Sequence, residues 1–312
     1  MTLTLRPVRR SRLAFRRSAR ALGSAAVVAL LCLLAAPPLL AGDLFEELDP
    51  SFLANSYWYE GLAEINLYDA QVVIYGQPRQ AEELAHVLVT EDHRPDLLVK
   101  ADDPNRADKV GMLKLNYTTD ARTGVYTYRQ MLSFFFDRSD WSVAKMTLAH
   151  HEWCGNTFKE LVNFRNRSSY EFNTYWDGQG NGSFEVDFPE KLVIYDSLPV
   201  QLRGLRFREG LKASFELLPR QLSSRAVKPR WSEATLSVGA RSEVSVPAGK
   251  FTAWPIELRH GGGVDSLWFE ADFPHRLLRW QRADGDTFAL RTSEKLPYWN
   301  HGRLQDEDLL GP

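Results

Sequence analysis

The chain has 312 residues, with 38 Lys and Arg against 40 Asp and Glu and a formal net charge of −2. Seven of the arginines lie in the first 42 residues, so the remainder carries 31 basic against 40 acidic side chains, near −9. That acid excess disfavours a nucleic-acid role, which needs a basic footprint, and no nucleic-acid partner is expected. The roughly 270 residues that follow suffice to bury a core as one or two domains.

Residues 1–42 combine a basic opening, Arg6 to Arg20, with the apolar run ALGSAAVVALLCLLAAPPLLAG, closed by Pro37, Pro38 and small residues. This layout predicts a secretory signal cleaved near Ala41 or Gly42, and so an exported protein, periplasmic or associated with an outer membrane. A retained N-terminal signal anchor is the alternative, because the apolar run is nearly long enough to span a bilayer. No later stretch approaches about 18 consecutive apolar residues. Cys32 leaves with the signal. Cys154 then has no disulfide partner, and the fold must rest on core packing.

The mature chain reads with period two. AEELAHVLV (81–89) runs into an extended segment and is read as strand. The charged stretch 90–109, interrupted by Pro95 and Pro104, is read as a loop. VGMLKLNYT places Gly111, Leu113, Leu115 and Tyr117 on one face and Lys114 and Asn116 on the other, and VYTYRQMLSFFF resumes after a turn. Together they predict a β-hairpin. Residues 175–190, with Gly178, Gly180 and Gly182 among acids, do not match a calcium-loop spacing and are read as a wide hairpin tip. DSLPVQLRGLRF (196–207) is the one helix candidate, with Asp196 or Ser197 as cap and Leu198, Leu202 and Leu205 at helical spacing. It would link an N-terminal half, 43–190, to a C-terminal half, 191–312, continuous with the first. Pro247 and Gly249 punctuate a second hairpin over 242–258, and further strand-like runs follow at short intervals. The expected fold is all-β: curved antiparallel sheets forming a sandwich or open barrel, with one short linking helix.

AHHEWCGN (149–156) concentrates reactive side chains. On a strand, His150, Glu152 and Cys154 share a face, but a rise of about 3.3 Å per residue holds His150 some 13 Å from Cys154. A nucleophile–base pair needs about 3 Å, so the two form no dyad without a bulge. His150 and Glu152 alone are near enough to share an ion, and only a helix would add Cys154. The structural reading makes Trp153 a core anchor, Cys154 a small buried hydrophobe, and Glu152 a partner of Lys114 or Lys145. Gly155 would permit a bulge or a close backbone approach. No phosphate-binding glycine loop or nucleophile elbow is present, and neither metal nor cofactor is expected.

The aromatic load is high: 17 Phe, 11 Tyr and 9 Trp. It supplies a two-layer core, or an apolar mouth lined by Trp58, Tyr126, Tyr128, Trp153 and Trp268, as curved sheets use for ligands.

PAGKFTAWPIEL, DSLWFEADFPHRLLRW and DGDTFAL resemble, in order, the C-terminal part of an uncharacterised family of exported bacterial proteins with a Val-Pro-Ala-Gly-x-Phe hairpin. YWYEGLAEINLYDAQVVIYGQPRQAE, VKADD, LKLNYTTDARTGVYTY and HEWCGNTF resemble its N-terminal companions, and the pieces cover most of residues 57–290. Some relatives carry a "septum formation inhibitor" label, which belongs to a cytoplasmic nucleotide pyrophosphatase whose α/β pattern is not found here. The resemblance implies an exported all-β protein and singles out Glu152, Trp153, Cys154 and Gly155, with Lys100, Lys114, Asn116, Gly124 and Tyr126. It supplies no catalytic residues.

The leading functional expectation is a non-enzymatic envelope protein binding a lipid or other apolar small molecule, with peripheral envelope association. The alternatives are a thiol-dependent hydrolase or transferase centred on Cys154, which needs an exposed thiol of low pKa, and a scaffold that pairs a partner's strand at an open sheet edge.

Overall fold

The computed structural model describes residues 41–310, so the expected signal segment falls almost wholly outside the described residues. The described chain is built from eighteen strands: β1 Gly42–Asp43, β2 Ala63–Ile74, β3 Gln77–Arg94, β4 Val99–Lys100, β5 Val110–Thr123, β6 Tyr126–Asp137, β7 Val143–Glu152, β8 Gly155–Phe164 and β9 Arg167–Thr174 come first. β10 Asn181–Phe184, β11 Val193–Ile194, β12 Lys212–Leu218, β13 Ser232–Val238, β14 Ser242–Val246, β15 Gly249–His260, β16 Gly263–Glu270, β17 Leu277–Gln281 and β18 Thr287–Leu296 complete them. The only α-helical turns among the described residues are α1, Leu44–Glu47, and α2, Leu198–Gln201. None is long and apolar enough to cross a membrane.

The strands form one curved sheet. An antiparallel meander runs from β10 back through β9, β8, β7, β6 and β5 to β3 and β2. β2 then pairs with β18, and the meander continues through β17, β16 and β15 to β13 and β12. The β18–β2 ladder carries the sheet across the two halves expected from sequence. Two short strands depart from the antiparallel rule: β1 and β11 both lie parallel to β12.

Period-two burial explains the inward face. Along β5, Leu113, Leu115, Tyr117, Thr119 and Ala121 are buried, while Lys114, Asn116, Thr118 and Asp120 between them are not. AEELAHVLV is strand, as read. The loop expected over 90–109 is shorter, because β3 continues to Arg94 and β4 pairs back onto it. Both expected hairpins are present, as β5–β6 and β14–β15, and residues 175–180 form the tip of the β9–β10 hairpin.

The helix expected over 196–207 shrinks to α2 flanked by 3-10 turns, and Ser197 does not cap it with its side chain. The reason is its position. Every residue from 192 to 205 is buried, so this segment threads the interior of the curved sheet instead of lying on it. At one end Tyr195 bonds Asp265 of β16. At the other Arg203 reaches Glu64 of β2, with bonds of 2.8 and 2.9 Å. The hollow centre that a ligand barrel would need is therefore filled by the chain itself.

Antiparallel register gathers six turns at one end of the sheet: Tyr75 with Gly76, Gly124 with Val125, Trp153 with Cys154, and residues 175–180, 261–262 and 283–286. Residues 219–231, between β12 and β13, cross the same end. There the carbonyl of Gln221 accepts from Lys159 of β8 and that of Ser224 from Thr157. This crossing ties the β12 side of the sheet to β8 and β9.

Candidate functional site

The structure corrects the reading of AHHEWCGN. β7 ends at Glu152, which pairs with Gly155, so Trp153 and Cys154 are the two residues of a hairpin turn. Trp153 is 76% exposed instead of anchoring the core, and Cys154 is exposed instead of buried. Glu152 pairs with neither lysine: Lys114 bonds Glu91 at 2.9 Å and Lys145 bonds Glu160 at 2.8 Å. Its carboxylate instead accepts from the Cys154 backbone N–H at 2.6 Å. A hydrogen bond from the thiol to the same carboxylate pushes the Cys154 pKa up, with local loss of hydration and the Glu152 charge adding to it. That is the reverse of an activated nucleophile. The glycine is required by close approach, since a Cβ at Gly155 would stand 2.5 Å from the Tyr175 ring.

Three of the five residues expected at an aromatic mouth meet here. Trp153 stacks on Tyr126 at 6.2 Å between centroids, and the Tyr75 hydroxyl bonds those of Tyr126 and Tyr128 at 3.0 and 2.6 Å. Tyr75 and Gly76 both have positive φ, as a two-residue turn matching the sheet's twist requires. With Val125 and Tyr175, both exposed, these side chains make an aromatic rim on the hairpin tips. Trp58 and Trp268 lie elsewhere. Trp58 is buried at the opposite end, its indole N–H donating to the Phe52 carbonyl at 3.0 Å. Trp268 is half-buried in mid-strand beneath Arg279. Lys100 and Lys114 line a separate cavity of about 470 Å³ with both charged and apolar walls, beside Trp299. The nine expected residues thus divide among four places.

A cavity with mainly apolar walls was not foreseen. It has a volume of about 450 Å³ and lies under the 219–231 crossing, lined by Tyr195, Leu217, Pro219, Trp231, Gly261 and Gly262, with Arg220, Arg230, Arg282 and Asp284 among its polar groups. Trp231 is held edge-on against Phe188 at 5.6 Å. A larger groove of about 1040 Å³ at the opposite end is polar, with Arg138, Asp140, Arg165, Asp187 and Glu190 in its walls. Tyr59, Val110, Phe164 and Phe188 also line it, but its walls are mainly polar and carry charges of both signs.

His260, Asp265 and Ser232 at the smaller cavity invite comparison with a hydrolase triad. His260 Nε2 lies 3.2 Å from Asp265, but Nδ1 accepts the Gly262 N–H at 3.1 Å. Both ring nitrogens are thus engaged, and no lone pair faces a hydroxyl. Burial works to raise the Asp265 pKa, yet donors from His260, Tyr195, the Ala283 backbone and Trp280 outweigh it and hold the carboxyl below its ordinary value. Arg282 is packed over Tyr195 and donates to its hydroxyl at 3.0 Å. This network makes a rigid charged floor. It builds a wall, not a proton relay. Among the described residues no group of three or more His, Cys, Asp or Glu is placed to hold a metal ion.

Family models, curated proteins and solved structures offer no match to this chain. The sequence signal for the cavity was PRQLSSRAVKPRW, an acid-free basic stretch in an acidic chain, together with the glycine turn after His260.

Proposed function

We propose that the protein is a non-enzymatic envelope protein that binds a lipid or other apolar small molecule at the turn-bearing end of its sheet. The observation that carries this reading is the 450 Å³ cavity walled by Leu217, Pro219, Trp231 and Tyr195, within the size range of small-molecule sites. The aromatic rim supports peripheral association, because Trp and Tyr favour the boundary between lipid and water. The raised thiol pKa of Cys154 weighs against the thiol-dependent alternative.

The test is saturable binding of a neutral apolar probe, 1-decanol, followed by tryptophan emission, with native mass spectrometry of protein extracted from its own envelope. Trp231→Ala is expected to weaken binding about tenfold or more, since an aromatic wall contributes about 1.5–3 kcal/mol. Trp153 emission is expected to shift to the blue on lipid vesicles. A wild-type protein that takes up no decanol and carries no adduct would refute the reading.

A further inference from the structure

β8 places a lysine on the inward face of the sheet, between Thr157 and Leu161. Lys159 is 1% exposed. Its ammonium donates to the Gln221 carbonyl at 3.0 Å, which leaves two of three N–H donors unassigned. Among the described residues, no carboxylate oxygen lies within 4.0 Å of it. The nearest carboxylate charge acting on it is that of buried Asp196, which is bonded instead to the Gln221 and Leu222 backbone N–H groups, and an ammonium buried without a contact ion pair is costly.

What Lys159 faces is a second cavity, of about 380 Å³, lined also by Arg220, Arg225, Lys228 and Arg230 and by no acid. Arg220 is neutralised by Asp284 and Asp286, each at 3.1 Å. Arg225 lies over the Trp176 ring at 4.3 Å, and among the described residues Arg225, Lys228 and Arg230 form no ion pair. Residues 219–231 hold four basic side chains and no acid, although residues 43–312 carry 31 basic against 40 acidic side chains. The concentration of unpaired cations around one buried ammonium is local to this cavity.

We infer that this cavity is an anion site in which Lys159 at the floor and Arg225, Lys228 and Arg230 at the mouth hold a phosphoryl group. A phosphoryl dianion presents three acceptor oxygens to the free ammonium donors and the guanidinium forks, where a carboxylate would leave most of the positive charge unmatched. The anion cavity shares Pro219, Arg220 and Arg230 with the apolar one. A phosphorylated amphiphile therefore fits both, its headgroup on Lys159 and its apolar part against Trp231. This pairing rests on the apolar-ligand reading; the anion site alone does not.

Calorimetry on the whole chain separates the two with three probes: inorganic phosphate, dihexanoyl phosphatidic acid and 1-decanol. The expected result is saturable binding of the phosphatidic acid, tighter than that of phosphate. Lys159→Met and the double variant Arg225→Gln/Lys228→Gln should each weaken the phosphate-bearing probes about tenfold or more and leave decanol unaffected. The double variant lies at the surface, so it decides the matter if Lys159→Met fails to fold. Phosphate binding with no gain for the lipid and none for decanol supports the anion site, with free phosphate as its source, and defeats the apolar reading. Decanol binding with no response to either phosphate-bearing probe overturns the anion site and leaves the apolar reading standing. Equal affinities in wild type and variants also overturn it.

Discussion

A thiol on a hairpin tip is open to any reagent in solution, and its neighbour determines how it responds. Glu152 holds the Cys154 proton on, so alkylation of the native protein should be slow at pH 6 and rise only above the ordinary thiol range. Glu152→Gln removes the carboxylate and should move that rate profile to lower pH. An unchanged profile would show that Glu152 does not govern the thiol. The turn itself was hard to read from sequence. A two-residue hairpin loop usually announces itself with Asn-Gly or Asp-Gly, and Trp153 and Cys154 are residue types that normally seek the core. The strand before them was legible, and so was the close approach at Gly155. The reversal of direction was not.

Among the elements, the buried segment 192–205 departs furthest from its sequence signature. Leu198, Leu202 and Leu205 do fall at helical spacing, but Pro199, Val200, Gln201 and Arg203 are buried with them. A segment enclosed on every side has no amphipathic face, so periodicity could neither locate it nor show that it fills the sheet. Its far end is fixed by an ion pair of negligible exposure. Burial alone would raise the Glu64 pKa, but Arg203 and further donors from Tyr57 and Asn66 hold it at about 2. Arg203→Met should therefore destabilise the fold by about 3–5 kcal/mol, by leaving a buried carboxylate without its partner. Adding Glu64→Leu should recover part of that loss in chemical denaturation. If the single variant is as stable as wild type, the pair does not anchor the segment. The strands and hairpins around it were legible because half-buried β-structure writes its period directly into the sequence. Nothing in the local sequence marks Lys159, because its burial depends on the 219–231 crossing, which no local pattern predicts.

For the molecule as a whole, inward-facing imidazoles make stability sensitive to acid. Burial lowers His86 to about 3 and His150 to about 4, while the unfolded chain takes up these protons near 6.5. The unfolded state then binds more protons as pH falls below 6.5. Stability is lost in that direction until the folded-state values are reached, by up to about 1.4 kcal/mol per pH unit for each group. Urea midpoints measured between pH 7 and 4.5 should fall accordingly, and His86→Leu should make the decline shallower. A flat profile would mean that neither imidazole is buried neutral.

The pairing of β18 with β2 also has a consequence for the order in which the molecule forms. Gln71 and Thr287 stand opposite one another, so the ladder that unites the sheet joins positions near the two ends of the described chain. Contacts of such long sequence separation close late and slowly. Until they close, β2 offers a bare hydrogen-bonding edge to whatever strand is nearby. Folding of this chain is thus a race between its own last strand and intermolecular pairing, and its yield should fall with protein concentration more steeply than its final stability would suggest.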